Sequence, residues 1–280
     1  MRWAERVSTE RWLQAESPRW TGADEVCWVD MRASLLVVGR LSPSGLTVVR
    51  TEEVGRRIGS AARIAGSDDW AVACDREVRR VAPDGSQSTI ASLPPGPGFM
   101  NDGVADPAGR FWTGTQTIDR VPQAALYSVE RDGSVAARLT DVTVSNGICF
   151  TPDGSTLYYI DTLPGRSIEA FDVAPDGTLS GRRLVVRIEG GNPDGLAIDR
   201  DGALWVAVWG IGEARRYSPD GRLLETIRIP AARASAVALV GSTLLITSAQ
   251  PADPADDEGG HIFAAEVEVP GSLASAVAIK

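Results

Sequence analysis

Apolar and polar residues alternate along this chain in short runs, the period of half-buried strands rather than the 3.6-residue period of helices. Six of these runs carry an aromatic or large aliphatic residue at a comparable place. They are Cys27-Trp28-Val29-Asp30, Trp70-Ala71-Val72-Ala73, Phe111-Trp112-Thr113-Gly114, Leu157-Tyr158-Tyr159-Ile160, Leu204-Trp205-Val206-Ala207 and Leu244-Leu245-Ile246-Thr247. Positions 28, 70, 112, 158, 205 and 245 are spaced by 42, 42, 46, 47 and 40 residues. A second series of strands ends in glycine turns at Ser44-Gly45, Asp84-Gly85, Asp132-Gly133, Asp176-Gly177, Asp220-Gly221 and Pro270-Gly271. Asp-Gly marks a hairpin because glycine accepts the positive φ that such turns require. Six periods, each long enough for four strands, predict an all-β fold, a six-bladed β-propeller of four-stranded antiparallel blades around a central channel. The runs Leu184–Ile188 and Leu223–Ile229 suit outer strands, and the acidic, proline-bearing stretch from Ala252 to Gly259 reads as an exposed loop.

Composition narrows the picture. With 280 residues, 43% apolar and 23% charged, the chain is neither disordered nor collagen-like. Its 29 glycines and 17 prolines are scattered among turns, and no low-complexity linker divides it, so residues 1–280 read as a single propeller domain. The formal charge of −9 comes with no basic stripe, which argues against a nucleic-acid partner. Met1 to Trp20 lacks the apolar core of a signal peptide, and no run is long enough for a membrane helix. Cys27, Cys74 and Cys149 each sit in an apolar strand and read as buried, reduced thiols. Together these predict a cytoplasmic protein without membrane association, a monomer or weak dimer.

Candidate chemistry emerges from the repeat. Glu16 precedes Trp28 by 12 residues, Asn101 precedes Trp112 by 11, Asn146 precedes Tyr158 by 12 and Asp194 precedes Trp205 by 11. In a radially repeated fold equivalent positions lie on one ring, so these side chains converge at the start of the innermost strands. The corresponding places in the other two blades, Ile58-Gly59 and Ala234-Ser235, supply no charge. Two carboxylates and two amides around one opening suit a hard divalent cation, which prefers oxygen ligands. The alternative is that Asn101-Asp102-Gly103, Ser145-Asn146-Gly147 and Pro193-Asp194-Gly195 are only loop turns; Glu16 belongs to no such turn motif.

Other catalytic constellations lack support. His261 is the sole histidine, in Gly259-Gly260-His261-Ile262, and reads as a surface or turn residue. The stretch Pro94-Pro95-Gly96-Pro97-Gly98 is too poor in amide donors to cradle a phosphate and reads as a rigid approach to Asn101. The eight tryptophans read mostly as core.

At these residues the sequence resembles the gluconolactonase/regucalcin family, which includes senescence marker protein-30 and luciferin-regenerating enzyme. The resemblance runs from about Glu16 to Gly271 and is strongest over Asn101–Thr115, with Ser145–Ile148, Tyr158–Asp161 and Pro193–Asp199 in support. It implies a six-bladed propeller holding one divalent metal on Glu16, Asn146 and Asp194. Calcium is the first choice, with zinc, manganese or iron in other members. It further implies that Asn101 faces water or substrate, that Asp194 is the candidate general base, and that the substrate is a sugar lactone. The chain departs from the family pattern at Ala15-Glu16-Ser17-Pro18, at Phe99, where arginine is common, and at Gln116, where methionine is usual. Phe99, Asn101 and Gln116 are then the substrate-facing residues, and an apolar ring at Phe99 predicts a less polar lactone.

The expected function is divalent-metal-dependent hydrolysis of a sugar-like lactone to its hydroxy acid, by metal-activated water with Asp194 as base and Asn101 steadying the oxyanion. Two alternatives stand beside it: another metal-dependent propeller activity, phosphotriesterase-like or belonging to specialised metabolism, and a non-catalytic binding propeller.

Overall fold

A computed structural model describes residues 2–251 and 258–279; residues 252–257 of the acidic stretch read as a loop lie outside the described residues. The described chain is all strand and turn, without a helix, and its strands form six sheets arranged as the blades of a propeller. The innermost strands are Ala15–Gly22, Ile58–Arg63, Phe99–Ala105, Ser145–Phe150, Asn192–Ile198 and Ala234–Val240. Each pairs antiparallel with the aromatic strand read from the sequence: Glu25–Asp30, Trp70–Cys74, Phe111–Gln116, Thr156–Asp161, Leu204–Trp209 and Thr243–Ser248. Both faces of an aromatic strand are covered, by neighbouring blades, so its apolar run is continuous rather than alternating. Trp28, Trp70, Trp112 and Trp205 are wholly buried there. Trp70 packs with Val29 and Leu36 of the preceding blade, and Trp205 with Leu244 and Phe263 of the following one. Burying one such ring stabilises the fold by roughly 1.5–3 kcal/mol. All three cysteines are buried and free.

Five of the six glycine turns join the third and fourth strands of blades one to five. Gly45, Gly85, Gly133, Gly177 and Gly221 all have φ between 80° and 121°, the region in which glycine is unstrained. The sixth does not fit this pattern. Pro270-Gly271 lies beyond the last strand, Phe263–Glu266, where Arg200 N donates to the Pro270 carbonyl (3.0 Å) and Gly271 N to that of Gly241 (2.9 Å). The outermost strand of blade six is instead Glu5–Arg6 from the other end of the chain. Sharing one blade between the two ends joins the ring by hydrogen bonds rather than leaving an open seam. Arg2–Trp3 adds a fifth, parallel strand to blade five.

The inner strands share a further feature. Pairing with the second strand slips near the start of each: Glu16/Arg19, Ile58/Ser60, Met100/Gly103, Ser145/Ile148, Pro193/Leu196 and Ala234/Ala236, with a second slip at Trp20/Gly22 farther along the first. A bulge bends a strand and re-aims its side chains. The six near the strand starts fall at the ring positions singled out by the spacing, so the fold itself turns those residues toward the channel.

Candidate functional site

Glu16, Asn101, Asn146 and Asp194 are all buried, and all line one cavity of about 680 Å³ at the end of the channel where the inner strands begin. Phe99 and Gln116 stand on its wall. His261 is elsewhere: its Nδ1 lies 2.9 Å from the Glu10 carbonyl, in a turn near the last strand.

The strands carrying Glu16 and Asn146 are pinned in the same way. Asp30, at the end of the aromatic strand of blade one, accepts from Leu13 N (2.7 Å) and Gln14 N (3.1 Å). Asp161, its counterpart in blade four, accepts from Thr143 N (3.0 Å) and Val144 N (2.9 Å). Each carboxylate therefore clamps the backbone just ahead of a cavity residue. At the equivalent ring positions blades two and six contribute no oxygen ligand to the cavity. A Cβ on Gly59 would lie 2.2 Å from the Asn101 carbonyl oxygen, and Ser235 turns its hydroxyl to the Ala15 carbonyl.

The amides form a directed chain. Gln116 Nε2 donates to Asn101 Oδ1 (2.8 Å). Asn101 Nδ2 donates to Asn146 Oδ1 and to the Ser145 carbonyl, each at 2.7 Å. Asn146 Nδ2 donates to Thr162 Oγ1 (2.7 Å), and Thr162 Oγ1 donates to the Pro193 carbonyl (2.8 Å). Since Thr162 spends its only proton on Pro193, it can only accept from Asn146, which keeps the Asn146 oxygen turned away from it. Both amide hydrogens of Asn101 are engaged, whereas Gln116 retains a second one.

The carboxylates are less well satisfied. Glu16 accepts from Gln14 Nε2 (3.1 Å), while the Asp194 carboxylate accepts no hydrogen bond from a described residue. Burial pushes the Glu16 carboxyl up to about 8; the Gln14 hydrogen bond opposes this, repulsion from Asp102 adds to it, and attraction by Arg19 opposes it. Burial likewise raises Asp194 well above the usual carboxylate range, reinforced by repulsion from Glu16 and Asp102 and opposed by Arg120. Asp102 is itself paired, its Oδ1 3.1 Å from the Arg19 guanidinium, which also donates to the Gly103 carbonyl (2.7 Å). Among the described residues no cluster of three or more His, Cys, Asp or Glu is gathered as for a metal. The donor set is two under-compensated carboxylates and an oriented amide oxygen. Such an all-oxygen, net negative set fits a divalent cation of the calcium type better than a thiolate- or imidazole-seeking metal.

Four participants were not legible in the sequence. Thr162 lies just past the aromatic strand of blade four and reaches across to blade five. Gln14, Arg57 and Arg120 carry no motif. The guanidinium of Arg57, in blade two, stands 4.0 Å from the centroid of the Phe99 ring. Phe99 is therefore not a bare apolar wall: a cation from the neighbouring blade covers it.

Residues 14–250 match the family described as the SMP-30/gluconolactonase/LRE-like region. Regucalcin from Danio rerio is 43% identical over 160 residues, 54% of this chain and 54% of that protein. A 6-deoxy-6-sulfogluconolactonase from Pseudomonas putida is 37% identical over 185 residues, 61% of this chain and 63% of that protein. The matches thus span about half to two thirds of the length of these relatives. A solved structure of a calcium-binding protein, regucalcin, from Agrobacterium tumefaciens superposes with a TM-score of 0.88 at 25% identity, over 98% of this chain and 96% of that one. The chain belongs to the SMP-30/gluconolactonase/LRE-like family.

Proposed function

We propose that this member of the SMP-30/gluconolactonase/LRE-like family is a metal-dependent lactonase that opens a cyclic ester to its hydroxy acid. One observation carries the reading: Glu16 and Asp194, both buried, converge with Asn146 on one open cavity. The kinship supports the substrate class, since one relative is named for acting on a lactone, and supports calcium as the ion, since another is described as calcium-binding.

Glu16, Asn146 and Asp194 would hold the ion, with zinc, manganese and iron as the other candidates. Once bound, a divalent ion supplies Lewis acidity, which polarises an ester carbonyl and acidifies water. The chain's own residues do the rest. Asp194, with no hydrogen bond of its own among the described residues, takes the proton of the attacking water and returns it to the departing ring oxygen. The free amide hydrogen of Gln116 is placed to meet a substrate oxygen on which charge develops. Asn101, both hydrogens engaged, acts as a positioning residue that keeps the Asn146 oxygen in register.

The test is hydrolysis of gluconolactone by chelated protein, followed by re-addition of single metals, for the wild type and Asp194→Asn. Activity that returns with one metal and falls by roughly 10³-fold or more in the folded variant supports the reading. Equal turnover in chelator, or an Asp194→Asn enzyme that loses thermal stability but not activity, overturns it.

A further inference from the structure

The cavity wall carries a charge pattern at odds with the protein as a whole. The chain has a formal net charge of −9, yet Arg32, Arg57 and Arg120 all line this one opening. Glu16 and Asp194, on its floor, are the only carboxylates among the described residues that line it. Elsewhere arginine is commonly neutralised by a neighbouring carboxylate, as in Arg110 with Asp106 or Arg216 with Asp199. Arg32, Arg57 and Arg120 have no such ion pair within 4.0 Å among the described residues. With a divalent ion on the floor the opening would be positive throughout.

Arg57 is also held in place. Its guanidinium carbon lies 4.0 Å from the Phe99 ring centroid, a cation–π contact that uses no N–H group and leaves those donors for another partner. Its own carbonyl accepts from Asp75 N (2.9 Å), and the Asp75 carbonyl accepts from Met100 N (2.6 Å), next to Asn101. The stacked pair is thus tied by backbone to the strand that carries Asn101. Arg120 lies close enough to Asp194 to stabilise its negative charge.

From these observations we infer that Arg57, seated on Phe99, is a specificity-determining residue that receives an oxyanion substituent of the substrate, with Arg32 and Arg120 completing a positive rim. The substrate class becomes an acidic lactone, bearing a carboxylate, sulfonate or phosphate group beyond the ring ester. This rests on the lactonase reading above. A guanidinium with free N–H groups can bind such a group in two-point fashion, and a positive mouth on an acidic protein steers anions toward it.

The experiment compares a neutral lactone with a carboxylated lactone of the same ring size, in wild type, Arg57→Gln and Phe99→Leu, at low and high ionic strength. The expected result is a wild-type kcat/KM that favours the charged substrate about tenfold or more, the scale of one charge-assisted contact. In Arg57→Gln that charged-to-neutral ratio falls about tenfold, chiefly through KM. Phe99→Leu, which keeps bulk but removes the ring face, lowers it less, and added salt raises KM for the charged lactone alone. A ratio at or below one in the wild type, or one unmoved by either substitution, overturns the assignment. If neither lactone is turned over the lactonase reading fails on its own, and calorimetry with the charged hydroxy acid still decides Arg57. Binding seen in wild type and lost in Arg57→Gln supports the site, and no binding by either protein overturns it.

Discussion

Thr162 Oγ1 accepts a 2.7 Å hydrogen bond from Asn146 Nδ2 while donating its own proton to the Pro193 carbonyl. One hydroxyl thereby joins blade four to blade five and decides which end of the Asn146 amide faces the cavity. Removing it without changing shape, in Thr162→Val, leaves a buried amide donor and a buried carbonyl unpartnered and frees the amide to turn over. Partners that orient a ligand in this way are typically worth 10–100-fold in metal affinity. We expect that loss for calcium, read by calorimetry, together with about 1–3 kcal/mol of stability. Thr162→Ser, which keeps the hydroxyl, should restore affinity; if it does not, the loss came from packing.

The two floor carboxylates make a pH prediction whose sign follows from linkage. A carboxyl raised in the folded state holds a proton that the unfolded chain has released, so stability is lost as pH rises between the two pKa values. For Glu16 that window runs from 4.5 to about 8, and Asp194 shifts in the same direction. In chelator, the thermal midpoint should therefore decline as pH is raised through this range, and Glu16→Gln should flatten the decline. A divalent ion should remove it by neutralising both groups. A midpoint that climbs over the same window in chelator would show that the pair is not jointly buried and uncompensated.

Near this pair, Arg19 and Asp102 form a buried ion pair at 3.1 Å. Arg19→Met would leave Asp102 without its cation, in a space where it already repels Glu16 and Asp194. Breaking one side of a buried pair costs about 3–5 kcal/mol, and the urea midpoint should drop accordingly. Replacing both partners, Arg19→Met with Asp102→Leu, should recover a large part of the loss. No recovery would mean that the guanidinium matters mainly for its bond to the Gly103 carbonyl.

Much of this was written in the repeat. The repeated aromatic or large aliphatic positions Trp28, Trp70, Trp112, Tyr158, Trp205 and Leu245 all fall on second strands, and an offset of 11 or 12 residues from four of them leads to four side chains of one cavity. Radial repetition makes this legible, because equal spacing along the chain becomes equal radius in space. What the spacing could not show is anything that crosses between blades. Thr162 serves Asn146 through a side-chain contact that has no sequence period. Arg57 lies about one blade ahead of Phe99 in sequence, so substitution of the usual arginine looked like loss of a cation when the neighbouring blade supplies one. The Pro270-Gly271 turn misled for a related reason: the last blade is completed by Glu5–Arg6, and a linear repeat carries no mark of where a ring is joined.

Gly59 tests the ring geometry from a ring position that carries no side chain of its own. It occupies the same bulge position as Glu16, Asn146 and Asp194, but a Cβ there would meet the Asn101 carbonyl oxygen at 2.2 Å and the Met100 carbonyl oxygen at 2.7 Å. Those contacts are with backbone, so no side-chain rotation relieves them, and the strand Phe99–Ala105 must move instead. Gly59→Ala should therefore act at a distance from its own blade. Overpacking of this kind costs about 1–3 kcal/mol, and the shift of Asn101 should stretch its 2.7 Å bond to Asn146. Lactone turnover should consequently fall further than the stability loss alone explains, when measured at a temperature where the variant remains fully folded. A matched control is Gly66→Ala in the same blade, where a Cβ would meet nothing within 4 Å. Its positive φ of 74° brings local strain but no push on the cavity. If the two variants lower turnover equally, Asn101 is not held by the close approach at Gly59, and the proposed role of the Asn101–Asn146 bond fails with it.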